Sequence, residues 1–314
     1  MKKILIIGAL GQIGSELTPE FNKRYGSSNV IVADAADDKR GVVTDNVFEK
    51  IDVTDIHAIE NAIKRHNIDT VINLAAILSA KGEQNPDLAW RINIDGLLNV
   101  LRVSVKYKLD RVMIPSSIAV FGPQSVLYNA PQETNLKPNT MYGITKVTGE
   151  MLADYYHRNF GIDFRGIRYP GIISHKTPPG GGTTDYAVEI FYEALKHKKY
   201  TCFLSGEACL PMMYMPDCIR GTIELLEADR SKLLHHGNYN LGAMSFTPDV
   251  LATEIRKHIP EFTITYQPDF RREIARYWPA SIDDSAARAE WGWQPQWDLP
   301  AMVEDMLKEI AKKL

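Results

Sequence analysis

Cysteine is scarce in this chain: three in 314 residues, Cys202, Cys209 and Cys218, with no CxxC pair and an odd count. That excludes a disulfide framework, and the lack of close ligand pairs argues against a zinc centre, so the three read as reduced thiols of a cytoplasmic protein. No HExxH or other metal-spaced pair occurs among the eight histidines, and no metal is expected. Charge of one sign is also missing. The net charge of −3 is spread along the sequence without a basic run, which argues against a nucleic-acid partner or an electrostatic membrane anchor. No apolar run approaches the roughly 18 residues of a membrane-spanning helix. The opening Met1-Lys2-Lys3 and ILIIGALGQIG read as a first buried strand rather than a leader peptide, because the apolar stretch is short and breaks at Gly8.

What is present is alternation. Residues 4–7, 29–33, 70–74, 111–114 and 163–168 are short apolar runs that read as strands, and residues 12–25, 56–66, 86–107 and 140–159 are amphipathic stretches that read as helices. Strand–helix alternation with buried strands predicts an α/β fold, a doubly wound parallel sheet of Rossmann type with helices on both faces. The rhythm breaks at residues 174–216, which hold PPGGGTT and several prolines. A helix near 217–227 and a strand near 239–241 return to the sheet. The expected organisation is therefore interleaved: residues 1–173 with about 217–242 form the nucleotide-binding domain, and residues 174–216 with about 243–314 form a smaller substrate-binding cap, helical with one strand near 263–266.

Between the first strand and the first helix stands Gly8-Ala9-Leu10-Gly11-Gln12-Ile13-Gly14. Glycines there permit a tight turn and close approach of backbone to a pyrophosphate, which the free N–H groups of the helix N-terminus then meet. Asp34 ends the second strand, 20 residues after Gly14. Its carboxylate suits the ribose hydroxyls of NAD and repels the 2′-phosphate of NADP, although a turn aspartate would look the same. Asp52 and Val53 are candidates to cap an adenine, and Leu74, Ala75 and Ala76 follow a strand with small side chains over which a cofactor can lie; packing alone would also account for both.

Tyr142 and Lys146 form a YxxxK element within a helical pattern. Residues i and i+4 share a helix face, and an ammonium there lowers a phenol from its usual value near 10, making it a base toward an alcohol. Ser116 and Ser117 follow a strand end, where α/β sheets place their ligands. Ser117 is placed to bond a substrate oxygen while Tyr142 takes its proton.

The glycine motif, LAA at 74–76, NxxGLLN at 93–99, SSxxVFG at 116–122, YGxTK at 142–146 and DDSAARAEWGWQP at 283–295 together resemble the extended short-chain dehydrogenase/reductase family over nearly the whole chain. The resemblance implies a Rossmann domain binding NAD, a catalytic Ser117–Tyr142–Lys146 set and a homodimer. It adds Asn93, Ser116, Tyr169, Pro170 and Ile172 to the residues expected at the cofactor. Within the family, residues 168–174 and 178–186 resemble members that oxidise the β-hydroxyl of L-threonine to 2-amino-3-ketobutyrate. That reading makes Asp185 a partner for the substrate ammonium, and gives backbone N–H groups and hydroxyls at 180–184, Gly180 and Thr184 among them, to its carboxylate. Ser79 then reaches the same region, and Trp278 closes over the methyl side. The alternatives are a nucleotide-sugar epimerase or dehydratase on the same scaffold, or a non-enzymatic NAD sensor.

Overall fold

A computed structural model describes residues 1–38 and 41–314. In chain order the strands and helices are β1 (Ile4–Ile7), α1 (Gln12–Tyr25), β2 (Val30–Asp34), β3 (Val47–Lys50), α2 (Ile56–His66), β4 (Thr70–Asn73), α3 (Ser79–Gln84), α4 (Pro86–Trp90), α5 (Gly96–Tyr107), β5 (Arg111–Met113), β6 (Ser116–Ser117), α6 (Met141–Phe160), β7 (Phe164–Arg165), β8 (Ile167–Tyr169) and β9 (Gly171–Ile173). They continue with α7 (Tyr186–His197), β10 (Lys199–Cys202), β11 (Leu210–Tyr214), α8 (Met215–Glu227), β12 (Tyr239–Asn240), β13 (Met244–Phe246), α9 (Pro248–Arg256), β14 (Thr263–Tyr266), α10 (Arg271–Ala275), α11 (Ser285–Trp291) and α12 (Leu299–Ala311).

The main sheet is parallel, in the order β3-β2-β1-β4-β5-β7. Strand β1 lies inside it because ILII offers apolar side chains to both faces. Ile4 and Ile6 pack with Leu17 and Phe21 of α1, and Leu5 and Ile7 pack with Ile59 of α2 and Val100 of α5. Burying each of these side chains is worth about 1.5–3 kcal/mol. The chain winds outward through β2 and β3 and then returns to β4 on the other side of β1. The strand order therefore reverses between β1 and β4, the position at which open α/β sheets bind ligands.

Two expected elements divide. The single helix over 86–107 is α4 and α5 joined by a π-helical turn, Arg91–Asp95. That turn directs Asn93 inward, where its amide accepts from the Ile77 N–H and donates to the Ile77 carbonyl and the Thr145 hydroxyl. The single strand over 163–168 is β7, paired with β5, and β8, paired with β6 and β12. The break falls at Gly166, where a Cβ would lie 2.8 Å from the Ile114 carbonyl oxygen.

Residues 174–216 hold more regular structure than their proline and glycine content predicts: α7, β10 and β11 all lie there. Strand β11 pairs with β9 and β13, and β10 with β14. Helices α7, α9 and α12 close over an apolar cluster that includes Phe191, Leu251, Met302 and Trp278. Among the described residues no helix is long and apolar enough to cross a membrane.

Candidate active site

A solvent-open cleft runs across the strand tips, from the glycine turn to the segment before α7. At one end it is lined by Gly8, Gly11, Gln12, Ile13 and Gly14 after β1, and by Leu74 and Ala76 after β4. Gly8 has φ +82°, and a Cβ on it would stand 2.7 Å from the Ala75 nitrogen. A Cβ on Gly14 would stand 2.6 Å from the Gly8 carbonyl oxygen. Helix α1 follows Gly11 at its N-cap, with no side-chain cap and no acidic residue in its first turn. Its leading N–H groups and positive dipole end are thus left for a bound anion, and the turn fits a dinucleotide pyrophosphate.

Asp34 stands behind this turn, accepting from the Leu10 N–H through Oδ2 and from the Ala36 N–H through Oδ1, both at 3.1 Å. Ala75 packs against Gly8 from the β4 side. Asp52, Val53 and Asn93 do not line the cleft. The Asp52 carboxylate accepts from the backbone and hydroxyl of Thr54, which hold it below the usual carboxylate range. Val53 packs into the space left by Gly96. Asn93, with its amide committed as described, braces the backbone at Ile77 rather than meeting a ligand directly.

The middle of the cleft is formed by Ser116, Ser117, Tyr142, Lys146, Tyr169, Pro170 and Ile172. Thr140 caps α6 by accepting from the Gly143 N–H, which places Tyr142 in the first turn and Lys146 in the next. Ser117 lies on β6, in register with Tyr169 of β8. The phenol of Tyr142 faces the Ser117 side chain, close enough for that hydroxyl to favour the phenolate. Lys146 Nζ donates to the Pro115 carbonyl at 2.7 Å and stands 5.6 Å from the centre of the Tyr142 ring.

The electrostatics correct one expectation. Burial pushes the Tyr142 phenol up to about 12, and the nearby Ser117 hydroxyl pulls it down. No lowering by Lys146 offsets this rise, and burial brings the lysine itself down to about 8, with Glu150 opposing that fall. Desolvation disfavours the charged form of both groups.

The far end is walled by Leu78, Ser79, Gly182, Thr183, Thr184, Asp185 and Trp278. The hydroxyls of Ser79 and Thr183 bond each other at 3.0 Å. A second correction concerns the loop before α7. The N–H groups of Gly180, Gly181 and Gly182 all donate to Asp185 Oδ2, at 2.8, 2.7 and 2.8 Å. They are therefore committed to the chain's own carboxylate and not offered to a substrate, and Gly180 is not on the cleft wall. Gly182 does line the wall, but its N–H points at Asp185 as well. The hydroxyls of Ser79, Thr183 and Thr184 are what the wall offers an anion.

Sequence reasoning covered Thr183 only within the range 180–184, not its buried pairing with Ser79, and it passed over the buried pair Glu150–Arg168 beneath the Tyr–Lys face. The only signal for the latter was a glutamate four residues after Lys146.

Residues 4–242 match the NAD dependent epimerase/dehydratase family. An uncharacterized epimerase/dehydratase of Staphylococcus saprophyticus is 45% identical over 100% of this chain and 98% of its own length. Among solved structures, the GalE-like L-threonine dehydrogenase from Cupriavidus necator, in its holo form, is 52% identical with a TM-score of 0.96, over 98% of this chain and 99% of that one. A monomeric L-threonine 3-dehydrogenase from a metagenome is 46% identical with a TM-score of 0.95, over 99% of both chains. The coverage extends through the glycine turn, the Ser117–Tyr142–Lys146 group and the segments that wall the cleft. The chain belongs to the NAD-dependent epimerase/dehydratase family, the extended short-chain dehydrogenases/reductases, and its cofactor is NAD.

Proposed function

We propose that this chain oxidises the β-hydroxyl of L-threonine, with NAD, to 2-amino-3-ketobutyrate. The observation that carries the proposal is the cleft that sets the Ser117 hydroxyl beside the Tyr142 phenol, between the glycine turn and a small chamber of hydroxyls, one carboxylate and one indole. NAD supplies the hydride acceptor. The chain supplies the rest. The Ser117 hydroxyl orients the substrate oxygen, and the Tyr142 phenolate takes the hydroxyl proton as the carbonyl forms. Lys146 shares the helix face, 5.6 Å from the Tyr142 ring centre, and offers its ammonium to the cofactor ribose. Asp185 meets the substrate ammonium with Oδ1, since Oδ2 already holds the loop. Ser79, Thr183 and Thr184 offer hydroxyls to the carboxylate, and Trp278 bounds the methyl side.

Purified protein with NAD and L-threonine is expected to produce steady growth of absorbance at 340 nm, and little with L-serine. Absence of growth with threonine, together with interconversion of UDP-galactose and UDP-glucose without net NADH, would replace this reading with the sugar-nucleotide one.

Cofactor choice is assigned to Asp34. Its carboxylate disfavours a 2′-phosphate by charge, so Asp34→Ser is expected to lower the NAD-over-NADP ratio of kcat/KM by at least about tenfold, roughly 1.4 kcal/mol. An unchanged ratio would remove the residue from that role.

The homodimer is assigned to the outer face of α6. Ile144, Met151 and Tyr155 lie exposed there, with Met151 at 69% and Tyr155 at 54%. Their spacing of seven and four residues puts them in one stripe. Light scattering is expected to give twice the 35.4 kDa chain mass, and M151E/Y155E to give the single-chain mass with the fold retained. A wild-type mass of one chain would reject the assignment.

A further inference from the structure

One turn beyond Lys146, α6 carries Glu150, a 7% exposed residue with no part in the reaction above. Two strands hold its carboxylate. Arg168 of β8 donates Nε to Oε1 at 2.9 Å and Nη2 to Oε2 at 2.8 Å, and Ser116 of β6 donates its hydroxyl to Oε1. Arg168 is itself fixed by the Gln132 carbonyl at 2.7 Å and by Asn240 Oδ1 at 3.2 Å. Ser116 and Arg168 face each other in the β6–β8 register. Ser116 also directly follows Pro115, whose carbonyl receives the Lys146 ammonium.

We propose that Glu150 is a positioning residue, clamping the helix that carries Tyr142 and Lys146 to the strand that carries Ser117 and placing a carboxylate one helical turn behind the Lys146 ammonium. The inference rests on the reading of Ser117, Tyr142 and Lys146 as the oxidising group. Its mechanical part follows from the bidentate pair, which fixes both distance and orientation between α6 and β8. Its electrostatic part follows from burial. Lys146 is brought to about 8 by desolvation, and Glu150 is the group that opposes this. Tyr142 faces Lys146 from the same helix. The elements packed on α6 carry Lys81 and Glu83 on α3, Asp87 on α4, Arg91 and Asp95 in the π turn, Arg102 and Lys106 on α5, and Arg165 on β7. Neither these nor Arg168 shifts Lys146. Arg168 instead supplies the countercharge that a buried carboxylate requires.

Removing a negative charge near an ammonium favours the neutral amine, so the Lys146 midpoint moves down in Glu150→Gln. The test is the pH dependence of Lys146 acetylation by trace acetic anhydride, read by mass spectrometry on the chain without NAD. In E150Q the midpoint is expected to fall by about half a unit or more, at least a threefold change in acidity. The alkaline limb of kcat for threonine oxidation is expected to move the same way. Glu150→Asp, which keeps the charge, returns the midpoint toward that of the wild type. Ser116→Ala, which removes one tie but no charge, lowers kcat and leaves the midpoint in place. Should E150Q not fold, E150Q/R168Q removes both buried charges and carries the same expectation for the midpoint. A folded variant with an unchanged midpoint overturns the electrostatic role, and unchanged kcat in S116A overturns the clamp. A lowered midpoint with no threonine turnover in the wild type leaves the Glu150–Lys146 coupling standing and rejects the proposed substrate instead.

Discussion

Tyr142→Phe is expected to lower kcat for threonine oxidation by about 10²–10⁴-fold, the range that general acid–base groups contribute. The change deletes one oxygen. The ring stays, so its packing with Ile118, Ala119 and Trp278 in the apolar cluster is preserved. Loss of the hydroxyl also removes the phenol oxygen beside Ser117, a small cost because the Ser117 oxygen still accepts from the Ala119 N–H at 3.2 Å. Tm should therefore change little, and binding of NAD, followed by quenching of intrinsic fluorescence, should stay within a few-fold of wild type. The two readouts separate chemistry from folding. Full turnover in a folded Y142F chain would rule out the phenol as the base.

Gly14→Ala is expected to weaken NAD binding by about 100-fold or more, close to 2.7 kcal/mol. The added methyl would meet three backbone atoms of the glycine turn: the Gly8 carbonyl oxygen at 2.6 Å, Ala9 Cα at 2.7 Å and the Ala9 carbonyl oxygen at 2.8 Å. None is the end of a flexible side chain, so relief requires the turn to move away from the α1 N-terminus. That movement breaks the alignment on which anion binding at a helix N-terminus depends. Circular dichroism should retain the wild-type helix content, since alanine itself favours a helix, and isothermal titration with NAD gives the constant. Near-normal affinity would mean that the cofactor phosphates do not sit on this turn.

The two substitutions also mark how unevenly the site could be read in advance. The glycine turn and the Tyr142–Lys146 spacing were legible because each depends on a few consecutive residues and on the period of one element. A tight turn needs glycine locally, and an i, i+4 pair shares a face wherever its helix is placed. The cap region was less legible. PPGGGTT suggested an irregular stretch, yet Asp185 gathers the N–H groups of Gly180–Gly182 and α7 follows at once. The same carboxylate read as a substrate partner is half spent on its own loop. Strand length was misjudged at 163–168 for a similar reason. Nothing local to Gly166 reveals that the Ile114 carbonyl and Asn238 crowd it and split the run between two sheets.

By itself the amino-acid sequence determined the parallel α/β scaffold, the glycine turn after β1 and the grouping of Ser117, Tyr142 and Lys146, because periodicity, glycine spacing and strand ends are local properties. Only the tertiary structure decided which charges those groups feel and which polar atoms remain free. Burial sets the Tyr142 and Lys146 protonation ranges, and the buried pair Glu150–Arg168 joins a helix to a strand 18 residues away. Desolvation and long-range pairing depend on what the rest of the chain packs around a group, and no window of neighbouring residues contains that information.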